Sequence, residues 1–179
     1  TPLIKFRACR DARVVTGDAM EVRGGCGYIE EWTEPRLVRD AHLGSIWEGT
    51  SNIVALDVLR AINKSEGLNV LQQHVEHLLH NGSPCSSELE SLQTECINKV
   101  FVQARTAATN NEQEKARQVG TALYNVISLA AMRWEAKQTG LEARNLLADQ
   151  VLIQRLAPRD PLTEKNHIIE NQKILAYAI

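Results

Sequence analysis

From Leu3 towards the C-terminus, apolar residues recur every three to four positions, and no stretch shows sustained apolar–polar alternation rich in β-branched residues. That spacing puts the apolar residues on one side of a helix, so each segment needs another helix to cover it. The fold expected is therefore all-α, an antiparallel helical bundle with short loops and six or seven helices. The clearest case is Gln113 to Thr139, where Ala116, Val119, Leu123, Val126, Ile127, Ala130 and Trp134 share one face and Gly140 follows as a stop. The same spacing predicts helices over 3–22, 69–79 and 141–156. Pro35 opens a short helix to Ala41 as its first residue, and biases Glu34 away from helix. Thr50 or Ser51 caps a helix to about Asn63, with Gly67 as a nearby stop. Ser87 and Glu90 form a capping box for a helix that Asn110-Asn111 ends. Pro158 and Pro161 stop the 141–156 helix, and Thr163 caps the last. Asn81-Gly82-Ser83-Pro84 reads as a linker between a unit at 1–80 and a helical tail at 85–179 that packs on it.

The charge is nearly balanced, with 20 Lys+Arg against 22 Asp+Glu in 179 residues. Beyond residue 63 the chain holds 12 basic and 13 acidic residues. Neither figure offers the electrostatic footprint of a nucleic-acid or anionic-membrane partner. No apolar run reaches the length of a membrane span. The four cysteines lack CxxC spacing and read as reduced thiols of a soluble intracellular protein, in cytoplasm or mitochondrion. His74, His77 and His80 sit at i, i+3, i+6 with no Cys or carboxylate to complete a ligand set, so no metal site is assigned. The chain starts in mid-helix without an initiator Met and is expected to be the C-terminal part of something longer.

Chemistry concentrates between Met20 and Asn63. Gly24-Gly25-Cys26-Gly27 is the densest glycine cluster; it lacks the strand context and spacing of a dinucleotide fingerprint and reads as a helix end and turn. Twenty-one residues after Gly27 comes Glu48, in a short loop before a helix. Trp47 beside it supplies apolar surface that raises a carboxylate's proton affinity, while the helix N-terminus beyond opposes that shift. Such a glutamate can serve as a base. Arg36 and Arg39 have Glu30, Glu31, Glu34 and Asp40 within reach for local ion pairs.

Three ordered motifs, GGCGYIEE (24–31), PRLVRDA (35–41) and SIWEGTSNI (45–53), closely resemble the C-terminal helical domain of the acyl-CoA dehydrogenase family. Trp47 in the WEGT position, Glu21 and LDVLRAIN (56–63) make the chain similar to the AidB-like branch of that family, which also carries extra C-terminal helices. The resemblance implies an FAD-dependent oxidoreductase acting on the CH–CH bond of an acyl-CoA thioester. In that scheme Glu48 removes the α-proton, while Gly49 and Trp47 lie against the substrate. Thr50 and Asn52 hydrogen-bond the flavin or its phosphates. Glu21, Gly24, Gly25 and Gly27 meet the adenine half of an FAD held by a neighbouring subunit. It also implies a homotetramer, a dimer of dimers. Glu21 departs from the usual glutamine, and a carboxylate repels a pyrophosphate. The family's N-terminal and middle domains lie outside these 179 residues, so the chain alone is expected to be inactive. The alternative implied by the same branch is a protective or regulatory flavoprotein that binds acyl-CoA with little turnover, DNA binding being disfavoured by the balanced charge.

Overall fold

The computed structural model describes residues 1–47, 49–64, 66–157 and 168–177 of the chain, without side chains for 168–170. Among the described residues there are nine α-helices and no strand. They are α1 (Pro2–Val22), α2 (Gly25–Tyr28), α3 (Glu34–Leu43), α4 (Ser51–Lys64), α5 (Gly67–His80), α6 (Glu90–Thr109), α7 (Ala116–Thr139), α8 (Glu142–Val151) and α9 (Ile168–Ala176). A 3-10 turn at Gln113–Lys115 leads into α7, and a π-helical turn at Leu152–Leu156 extends α8. The all-α expectation holds. The helix count exceeds the six or seven expected: the sequence signals mark eight segments, and the ninth, α2, is four glycine-rich residues with no apolar period.

Helix α7 is the hub and touches α1, α4, α5, α6 and α8. Its inward residues Ala116, Val119, Leu123, Val126 and Ala130 meet Phe6 of α1, Val54 and Val58 of α4, Val75 of α5 and Phe101 of α6 in one core. That core runs across the Asn81–Pro84 linker, with members from α1, α4 and α5 before it and from α6 and α7 after it. At Gly120 α7 lies close against α1: a Cβ there would lie 3.2 Å from two ring carbons of Phe6. Helix α3 folds back along α1. Arg23 at the end of α1 pairs with Glu34 at the start of α3 (3.2 Å), and Ser45, just past α3, donates to the Cys9 carbonyl (3.2 Å).

The buried face of α7 turns as its partner changes. Near its C-terminus the partner is α8, so Leu129, Arg133 and Ala136 face inward. Trp134, expected in the core, is 40% exposed, and Arg133 beside it is fully buried. The Arg133 guanidinium is saturated with acceptors. It donates to Asp149 Oδ1 (2.6 Å), Asn145 Oδ1 (2.7 Å), Gln93 Oε1 (3.1 Å) and Cys85 Sγ (3.1 Å). A buried charge is tolerated only when paired and hydrogen-bonded in this way. The node also stitches the linker. The Ser83 amide donates to the Arg133 carbonyl (2.8 Å), and a Cβ on Gly82 would come within 3.0 Å of Arg133.

Several local expectations are corrected. Glu34 is the first residue of α3 and Pro35 its second, which a first turn accepts because no intrahelical partner is lost. Helix α6 starts at Glu90 with Leu89 as N-cap and no side-chain cap; Ser87 falls in a turn closed by the Leu89 amide on the Ser86 carbonyl (3.0 Å), just after the point where Arg133 holds Cys85. Gly67 opens α5 rather than ending α4. Pro158, Pro161 and Thr163 lie outside the described residues.

Two outcomes follow from the node. Arg133→Met should lower unfolding free energy by about 3 kcal/mol, because Asp149, Gln93 and Asn145 lose their shared donor, as measured by urea denaturation. Burial pushes the Cys85 and Cys96 thiols up, while Cys26 is exposed. At mildly alkaline pH a disulfide thiol reagent should label Cys26 before either of the others in the folded chain, with the difference abolished in denaturant.

Candidate functional site

The loop ahead of α4 is built from α3 and clamped by α1. Past Leu43 the chain makes a tight turn in which the Ser45 amide bonds His42 O and the Ile46 and Trp47 amides bond Leu43 O, each at 3.0 Å. Gly44 lies against Cys9, whose Sγ would be 3.3 Å from a Cβ there. Lys5 Nζ then donates to the Trp47 carbonyl at 3.0 Å. So Lys5 and Cys9 of α1 position the backbone immediately before Glu48. Sequence reasoning missed both, because a clamp made to main-chain oxygen leaves no motif. Glu48 itself lies outside the described residues.

Beyond it, Gly49 has φ +110°, a conformation L side chains rarely adopt, and a Cβ would lie 3.2 Å from Ile53. The glycine thus has a backbone reason to be there, whatever lies against it. Helix α4 begins at Ser51, and the Val54 amide bonds the Thr50 carbonyl (3.0 Å). Its first-turn N–H groups have no intrahelical acceptor, and no acidic side chain stands in that turn. Thr50 and Asn52 are exposed at this end. The arrangement suits an acceptor-rich or anionic group. Trp47 is 66% exposed, so within this chain it covers little of the loop.

The glycine turn stands at the other end of α1. Gly24, at φ 60° and ψ −140°, closes α1 and leads into α2, so the cluster opens a short helix as well as ending one. Its three glycines are not equivalent. Gly24 is held by its positive φ. Gly27 is held by packing, since a Cβ would strike the Met20 carbonyl oxygen and lie 2.7 Å from Arg23 Cβ. Gly25 has neither constraint: a Cβ would meet nothing within 4 Å. Only at Gly25 does the fold leave the residue's smallness unexplained. Glu21 is exposed beside the turn, and its carbonyl accepts the Gly24 amide (2.9 Å). Arg23 stacks over Trp32 at 4.7 Å. Arg39 and Glu30 form a two-pronged ion pair (2.7 and 3.0 Å) that holds the Glu30 carboxyl below its usual range. Arg36 pairs with Asp40 at 3.8 Å, so the arginines of this segment have local carboxylate partners as expected.

The two halves of the site do not come together within one chain. The loop is clamped at Lys5 and Cys9, while the turn follows Arg23; Gly24 lies fifteen positions beyond Cys9, nearly all of them in α1, roughly 22 Å at 1.5 Å per residue. Among the described residues no group of three or more His, Cys, Asp or Glu could hold a metal ion, and no helix is long and apolar enough to cross a membrane.

Residues 1–63 match the family model described as acyl-CoA dehydrogenase, C-terminal domain. The chain is 50% identical over 68 residues to the putative acyl-CoA dehydrogenase AidB of Escherichia coli, a match covering 38% of this chain and 13% of that protein. It is 34% identical over 119 residues to acyl-CoA dehydrogenase family member 11 of Caenorhabditis elegans, covering 63% of this chain and 19% of the relative. The likeness extends past residue 63 in three dimensions. The crystal structure of Caenorhabditis elegans ACDH-11 in complex with C11-CoA superposes with TM-score 0.73 at 27% identity, covering 89% of this chain and 29% of that one. The chain therefore spans less than a third of each of these relatives.

The glycines can be separated experimentally. Gly27→Ala should destabilise the chain by about 1–3 kcal/mol through overpacking against α1. Gly25→Ala should leave stability within about 1 kcal/mol of the parent. Thermal denaturation of the two variants checks the contrast.

Proposed function

We propose that the chain supplies the flavin- and thioester-facing edge of an FAD-dependent acyl-CoA dehydrogenase, in which Glu48 takes the α-proton of an acyl-CoA. The observation that carries this reading is the SIWEGTSNI segment, 45–53, set on a clamped turn and followed directly by a helix N-terminus. The α-proton of a thioester is only weakly acidic, so its removal needs a carboxylate held still and partly dry. Lys5 and Ser45 hold the preceding backbone in place. Gly49 keeps the following position free of a side chain, which lets a thioester approach.

The residues present fit the cofactor. The free amides of α4's first turn, with Thr50 and Asn52, would hold the flavin end or its phosphates. The open backbone at Gly25, with Gly24, Gly27 and Glu21, would meet the adenine end. FAD when bound supplies the acceptor for the hydride that leaves the β-carbon. The roughly 22 Å between loop and turn favours contact of the two with cofactors of different subunits, and so a homo-oligomer, the tetramer being its family form.

A second reading keeps the pocket but not the turnover: an acyl-CoA-binding flavoprotein with a protective or regulatory role. The observation favouring it is the structural relative, which was crystallised with C11-CoA. The two separate on one variant. In flavin-loaded protein carrying this chain, Glu48→Gln should slow flavin reduction by acyl-CoA by about 10²–10⁴-fold while leaving acyl-CoA binding within a few-fold. Reduction at the parent rate would refute Glu48 as base, and no reduction in the parent itself would favour the binding role.

A further inference from the structure

The face of α1 turned to α7 carries a charge cluster that the proposed chemistry does not use. Arg7, Arg10 and Arg13 rise from successive turns of α1, and Arg117 faces them from the first turn of α7. Arg7 is the best anchored: it donates to Asp11 (2.5 Å) and, through Nη1, to Thr121 Oγ1 (3.5 Å), and its guanidinium lies over the Tyr124 ring at 5.6 Å. Arg10 lies over the Phe6 ring at 5.6 Å. Among the described residues, Arg10, Arg13 and Arg117 have no acceptor or carboxylate partner, and the Nε atoms of Arg7 and Arg13 are buried without one. Burial, and then the charges of Arg117, Arg13 and Arg7, pull the Arg10 guanidinium below its ordinary range, with Asp11 alone opposing them. Among the described residues, Asp11 is the carboxylate that offsets the charge felt by Arg10, and it is bonded to Arg7. Six other arginines have carboxylate partners, namely Arg23, Arg36, Arg39, Arg60, Arg133 and Arg144.

We propose that Arg7, Arg10, Arg13 and Arg117 form a binding site for a multiply charged phosphate group. The planar guanidinium fork matches phosphate oxygens in pairs, and several forks on two helices suit a pyrophosphate better than a monovalent ion. The two helices are held at fixed spacing by Phe6, next to Arg7, packed on Gly120, three residues after Arg117, so the charges are brought together before the anion arrives. The site is separate from the glycine turn, since Gly24 lies fourteen residues beyond Arg10, roughly 21 Å along α1.

The probe is inorganic pyrophosphate, titrated into the 179-residue chain at constant ionic strength, with orthophosphate and sodium chloride as parallel arms. Calorimetry and thermal denaturation read the result. Pyrophosphate should bind and raise the melting temperature, orthophosphate should do so more weakly, and chloride should do neither. Arg10→Gln/Arg117→Gln should weaken pyrophosphate binding by about tenfold or more, while the melting temperature without anion holds or rises as like-charge repulsion is relieved. Arg117 is exposed, so Arg117→Glu alone should abolish the pyrophosphate shift even if the α1 variants fail to fold. Equal stabilisation by all three salts, or an unchanged pyrophosphate affinity in Arg117→Glu, would overturn the proposal. A titration in which Arg105→Gln, an arginine of α6 outside the cluster, weakens binding as much as Arg117→Glu would overturn it too.

Discussion

The contact of Phe6 with Gly120 is what the arrangement rests on. It lets α1 approach α7 closely enough to share one core, and α1 is the rod from which both motif segments hang. At one end, Lys5 and Cys9 fix the turn that precedes Glu48; at the other, α1 runs out into the glycine turn. Any larger residue at 120 would push the rod away from the hub and move both segments together. The helices beyond residue 85 therefore do more than lengthen the chain. They provide the surface on which the motif-bearing helices are seated.

The second fixed point is Arg133. Its guanidinium joins α6, α7, α8 and the chain at Cys85 through a fully satisfied set of donors, and its carbonyl receives the linker at Ser83. Such a network adds little net energy over an apolar core of the same shape, but it is costly to break and specifies one arrangement. The apolar core sets how tightly the helices pack; the Arg133 node sets the register in which α6 and α8 meet α7.

Much of the fold was legible because period and punctuation agreed. Gly140 ends α7 in the left-handed conformation that glycine favours, and α1, α4 and α7 begin and end within a few residues of where the apolar spacing puts them. What failed did so where tertiary contacts outrank local signal. Ser87 and Glu90 have the letters of a capping box, yet the chain is held at Cys85 and the helix starts later. Trp134 has the right spacing for the core, yet the change of partner from α4 to α8 turns Arg133 inward instead. In the site, the motifs named Glu48, Gly49, Thr50, Asn52 and the glycines because each is a local pattern. Lys5, Cys9 and the four-arginine face were invisible, since each depends on residues far apart in sequence meeting across helices. The glycine cluster was legible as a turn but not in its division of labour, which follows from φ at Gly24 and crowding at Gly27.

On the proposed chemistry, a thioester's α-proton is removed beside a flavin at the loop before α4. Anaerobic titration of flavin-loaded protein carrying this chain with an acyl-CoA, followed by flavin absorbance, tests that most directly. The oxidised-flavin band should be lost in proportion to the acyl-CoA added. A spectrum that stays oxidised at saturating acyl-CoA would contradict it.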